Sequence, residues 1–230
     1  MSDTTAAARR EFGQGPLARA AALVYTQLVI EMLFLVTAAP CLALLVLLDR
    51  DASNVPLAAA CALPVGPAWS AALYAWHRRS HDMTDLRPAA AYWRGYRANA
   101  LDAVKIWTPW LVAMALIGTT LTHLGAAGIP TWWAALLALI TVASALWLTN
   151  ALVIASLFAF RVLDTARLAA YFLARSGKAT AGNLCVLLAA AALTVAVSEL
   201  VPALLASVLA AATLLNCRPM ITEVRERFTE

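Results

Sequence analysis

Few residues in this chain could do chemistry, and Glu31 stands out among them. It sits inside a long apolar run, about 18 Å beyond Arg19 if the run is helical at 1.5 Å per residue. That places a carboxyl group near the middle of a bilayer, where ionisable groups are costly and usually face a bundle interior or a pathway. Asn150 lies at a similar depth before Arg161, with Ser144 and Thr149 nearby in sequence. Glu31 and Asn150 are therefore the candidate intramembrane polar site. One reading makes it a proton or solute site. The other makes it interhelical hydrogen bonding through a protonated carboxyl. The second is favoured, because no other ionisable residue lies deep enough to complete a relay.

The remaining chemistry is sparse. His77 and His81 stand at i, i+4 but have no third ligand at useful spacing, so no metal site is expected. Cys41, Cys61, Cys185 and Cys217 form no CxxC pair and read as buried apolar thiols. The chain has no phosphate-binding glycine loop, no GxSxG and no HExxH, so no catalytic residue and no cofactor is expected. Asp102 and Lys105, at i, i+3, suit a boundary ion pair. Pro64, Gly66 and Pro67 interrupt an apolar segment. Backbone freed by such a break must be satisfied by protein or water, and in transporters broken helices often mark binding sites.

Helices in a bilayer must position these residues. The chain has 230 residues, 63% of them hydrophobic and 13% charged; its mean hydropathy is +0.76. A soluble domain of this size cannot bury that much apolar surface. The net charge of +4 would suggest nucleic acid in a soluble protein. Here it reads as basic loops held at the cytoplasmic face of the lipid bilayer, with no nucleic-acid partner.

Apolar segments run over 20–48, 55–76, 104–124 and 132–160, and the last, 184–217, is divided near Ser198 to Pro202. Its 34 residues exceed one comfortable span. With six spans and the N-terminus inside, every Lys and Arg except Arg50 falls on the cytoplasmic side. Five spans would put the basic C-terminal segment outside. We therefore expect an all-α transmembrane bundle of six spans, arranged as three hairpins in a single membrane domain. Residues 1–19 form a cytoplasmic N-terminal segment, 20–217 the bundle, and 218–230 a cytoplasmic tail.

Two basic linkers complete the pattern. Tyr92, Trp93 and Tyr96 alternate with Arg87, Arg94 and Arg97 over 86–100, and Asn99 follows. Leu168, Tyr171 and Phe172 accompany Arg167 and Arg175 over 163–175. Aromatic and basic residues mixed in this way predict helices lying in the headgroup layer. The echo of AAYW at 90–93 in AAYF at 169–172 hints at a tandem repeat. Trp76, Trp132 and Trp133 read as belt residues at span ends.

The string LPVGPAWSAALY at 63–74 resembles the second span of the YesL family of small bacterial membrane proteins. YWRGYRAN at 92–99 resembles the segment that follows it there. The resemblance extends from about residue 24 to 110 and lacks that family's usual Thr between the Pro and the Gly. It implies an accessory role in sugar uptake beside bacterial carbohydrate ABC importers. In that role permease subunits are the expected partners, and the basic, aromatic linker, with Tyr92, Trp93, Arg94, Tyr96, Arg97 and Asn99, is the expected contact surface. Two other functions remain open. One is a small independent transporter or channel using Glu31 and the broken second span. The other is a membrane enzyme acting on lipid-linked sugars, for which Asp82, Asp85, Asp102 and Asp164 are the only acidic candidates.

Overall fold

The computed structural model describes residues 16–48, 51–79, 86–123, 130, 132–198 and 200–228. Expectations resting on Arg9, Arg10, Arg50, His81, Asp82, Asp85, Glu199 and the turn at 124–129 lie outside these residues. Among the described residues the fold is all helical. In chain order the helices are α1 (Pro16–Leu47), a 3-10 turn (Ala52–Asn54), α2 (Val55–Cys61), α3 (Val65–His77) and α4 (Pro88–His123). They continue with α5 (Trp132–Leu157), α6 (Val162–Arg175), α7 (Gly177–Ala196), α8 (Leu200–Leu204), α9 (Ala206–Asn216) and α10 (Arg218–Phe228).

Five segments are long and apolar enough to cross a membrane: Leu17–Leu45, Val55–His77, Pro88–His123, Trp132–Leu157 and Gly177–Ala196. The apolar helix α9, at 11 residues, falls short. At 1.5 Å per residue it rises only about 16 Å.

The bundle is organised around α3, which contacts α1, α4, α5 and α9. Its sequence explains why. Ala68, Ser70, Ala71, Ala72 and Ala75 are all buried, and small side chains let neighbouring backbones approach closely. Leu73 and the small residues of α3 meet Ile30 of α1, Tyr92 of α4, residues 151–155 of α5 and Phe172 of α6 in one core. The outer surface is apolar. On α1, Val24, Leu28, Met32 and Val36 are exposed at four-residue spacing, while Ala22, Thr26, Ile30, Phe34 and Ala38 line the opposite, buried face. Both faces being apolar, the helix shows almost no amphipathic signal in its sequence.

Two expected elements differ. The linker 86–100 is not a separate interfacial helix. It is the first part of α4, a single helix of 36 residues, about 54 Å long. Pro109 is the one proline beyond its first residue, so nothing in the sequence ends a helix between the aromatic segment and the span. The expected tail is not a tail either. Residues 218–228 form α10, and Met220, Ile221 and Val224 are buried in the main core.

Candidate functional site

The polar residues of the bundle converge where α9 begins. The first amides of a helix have no partner within it. In α9 the residue preceding the helix is Leu205, which offers no side-chain cap. Glu31, reaching across from α1, takes that place. Its Oε2 accepts the Ser207 amide at 2.8 Å. A carboxyl group at a helix N-terminus meets both the orphan N–H groups and the positive end of the helix dipole.

Ser207 extends the node to α3. It is fully buried. Its hydroxyl donates to Gln27 Oε1 at 3.1 Å and accepts the indole N–H of Trp76 at 3.0 Å. Three helices are thus pinned at one point: α1 by Gln27 and Glu31, α3 by Trp76, and α9 by Ser207. Trp76, expected as a belt residue, is instead buried and hydrogen-bonded in the interior. The Oε1 atom of Glu31 is buried without a partner among the described residues.

Asn150 lies elsewhere. It is buried on α5, and its Oδ1 has no partner among the described residues. Among the described residues no hydrogen bond joins it to Glu31.

The broken second segment is closed by protein. The break covers 62–64, between α2 and α3, so Pro64 precedes α3 while Gly66 and Pro67 fall in its first turn. Within the break the Ala62 carbonyl accepts the Val65 amide at 3.2 Å and the indole N–H of Trp107 from α4 at 2.9 Å. Gly66 makes that approach possible, because a Cβ there would lie 2.5 Å from Trp107 Cγ.

The aromatic-basic segment divides between core and surface. Tyr92 is fully buried, with its hydroxyl 2.7 Å from Thr37 Oγ1 and 3.4 Å from the Ala68 carbonyl. Tyr96 is half-buried and stacks on Tyr92 with ring centroids 6.5 Å apart. Asn99 donates to the Ser156 carbonyl at 2.9 Å, satisfying an acceptor in the last turn of α5. Trp93, Arg94 and Arg97 remain exposed. The segment expected to meet lipid or a partner thus presents only these three of its six residues outward. The other three are drawn inward because the helix turns them toward α1, α3 and α5.

Basic residues gather at one end of the bundle. Arg225 of α10 lies 3.3 Å from His77 at the end of α3. Arg175, at the end of α6, pairs with Glu223 of α10 at 3.1 Å. Lys105 and Asp102 form the expected ion pair at 2.9 Å. In the short connection before α2, hydrogen bonding from the Ser53 side chain, and then from the Ser53 amide at 2.8 Å, holds the exposed Asp51 carboxyl below the usual carboxylate pKa. Among the described residues no three His, Cys, Asp or Glu side chains are grouped to hold a metal.

Sequence reasoning missed Gln27, Ser207, Asn183 and Asn216. Asn216 donates to Asn183 Oδ1 at 3.3 Å, and Asn183 donates to Cys217 Sγ at 3.2 Å. The available signal was a polar residue inside an apolar run, the same signal that singled out Glu31.

Fold and site together define a class: an all-helical, multi-pass membrane protein with a hydrogen-bonded interior. In comparisons with family models, curated proteins and solved structures, nothing matches the chain.

Proposed function

We propose that the chain is a non-enzymatic accessory protein of a bacterial cytoplasmic membrane, assisting a carbohydrate ABC importer by contact with its permease subunits. The carbohydrate part rests on the resemblance of 63–74 and 92–99 to YesL proteins. The accessory part rests on one observation: Glu31, the carboxyl group within the long apolar helix α1, is used as the cap of α9. The group best placed for transport chemistry is engaged in architecture.

In this reading the chain crosses six times as three hairpins, with both termini and the basic segments cytoplasmic. The end of α9 supports it. Gly182, Asn183, Asn216 and Cys217 meet side by side, so the chain leaving α7 comes back along it. The permease contact is the outward face of α4 at Trp93 and Arg97.

Purification from native membranes in mild detergent tests the reading. The protein should bring down a sugar importer permease. A Trp93→Ala, Arg97→Glu variant should lose the permease while keeping its melting temperature. The partnerless Oε1 of Glu31 and Oδ1 of Asn150 favour the second reading, an independent transporter. Solute or proton flux through the protein alone in liposomes, abolished by Glu31→Gln, would replace the first reading with that one.

A further inference from the structure

A cavity of about 300 Å³ opens at the basic end of the bundle, between α1, α3 and the start of α4. Arg78, Arg79, Arg87 and Arg94 line it together with Thr26, Tyr74 and Pro88, and no described lining residue is acidic. Arg78, Arg87 and Arg94 make no ion pair among the described residues. Three exposed guanidiniums of one sign around one cavity focus a positive field there that attracts an anion.

A second observation is independent of charge. Thr26, on the inner face of α1, is only 1% exposed and lines the same cavity. Its hydroxyl has no hydrogen-bond partner among the described residues. A buried hydroxyl left unpaired costs free energy of the order of a lost hydrogen bond, so Thr26 gains a partner if a polar group enters the cavity and reaches it. The wall is also pre-set. Gly95 lets Tyr74 pack directly on α4, where a Cβ would lie 2.7 Å from Tyr74 Cβ. The Tyr74 ring in turn carries the Arg78 guanidinium 5.5 Å from its centroid.

We propose that this cavity binds a phosphate group, held by the Arg78, Arg87 and Arg94 guanidiniums and the Thr26 hydroxyl. Guanidinium forks match phosphate oxygens in charge and geometry. The phosphate comes either from the headgroup of an anionic phospholipid or from a soluble phosphate ester.

The full-length protein, delipidated in detergent, is titrated with phosphatidylglycerol and with phosphatidylcholine, and bound lipid is read by native mass spectrometry. In parallel its melting temperature is followed against inorganic phosphate, with chloride at equal ionic strength as the control. A preference for phosphatidylglycerol assigns the headgroup. A saturable rise in melting temperature with phosphate alone assigns the soluble ester.

In either arm Arg87→Gln should weaken binding about fivefold, the effect of one basic residue near an anionic partner. Thr26→Val, which leaves the charge unchanged, should also weaken it, whereas Arg167→Gln on α6 should not. No preference for phosphatidylglycerol together with no phosphate-specific shift overturns the proposal. Equal losses in the Arg87 and Arg167 variants with none in Thr26→Val also overturn it, since they would report diffuse charge rather than a site.

Discussion

Glu31 shows how one residue type acquires its role from the backbone it meets. Its depth was legible in the sequence; its partner was not. The partner is an amide of α9, far along the chain, at a helix start that Leu205 cannot cap. Glu31→Gln keeps an acceptor oxygen at that position, so it should lower stability by under ~1 kcal/mol. Glu31→Leu leaves the Ser207 amide unpaired away from water and should cost ~1–3 kcal/mol. Thermal unfolding in detergent separates the two, and equal losses would contradict the capping role. The same lesson holds at Tyr92, where composition suggested headgroups and the helix phase delivered a buried hydroxyl beside Thr37. Trp107 offers a further check. Trp107→Phe removes one of two donors to Ala62, whose carbonyl still accepts the Val65 amide at 3.2 Å, and should destabilise by ~0.5–1.5 kcal/mol for the lost hydrogen bond, beyond the cost of the smaller ring.

Element boundaries were readable wherever proline or glycine broke a run. The break at 62–64 lies just before Gly66 and Pro67, and α7 ends at Ala196, close to Ser198 and Pro202. Boundaries were missed where no breaker exists, as between the aromatic segment and the span that together form α4. The α10 helix was missed for another reason. Its polar residues suggested solvent, but Met220, Ile221 and Val224 recur on one side and complete a core that only the folded bundle creates. Close packing of α3 on α4 depends on glycines at both ends of their contact. A Cβ at Gly66 would lie 2.5 Å from Trp107 Cγ, and one at Gly95 would lie 2.7 Å from Tyr74 Cβ. Both neighbours are anchored near the backbone and cannot swing away. Gly66→Ala and Gly95→Ala should each lower stability by ~1–3 kcal/mol, as overpacking does. Gly177→Ala, with open space around it, should be neutral or mildly stabilising in the same unfolding measurement.

At the scale of the whole molecule, charge and contacts point to one arrangement. Arg225 meets His77, and Arg175 meets Glu223, so α3, α6 and α10 end on the same side of the bundle. In a bacterial membrane the side rich in Lys and Arg stays cytoplasmic. The α7 helix leaves that side, and α9 returns beside it to place Asn216 and Cys217 against Gly182 and Asn183. From Leu200 to Asn216 the returning chain rises only about 25 Å, which a locally thinned bilayer or burial among neighbours accommodates. The helix break within it leaves the Ser207 amide that Glu31 satisfies. A membrane-impermeant maleimide on intact cells reads the outcome. In a background with Cys41, Cys61, Cys185 and Cys217 changed to alanine, Ser53→Cys should label from outside, whereas Arg79→Cys and Glu226→Cys should label only after the membrane is opened. Labelling of Glu226→Cys in intact cells would place α10 outside and leave five crossings. That result would also require Arg225 and His77 to lie on opposite sides of the bilayer, against their 3.3 Å contact.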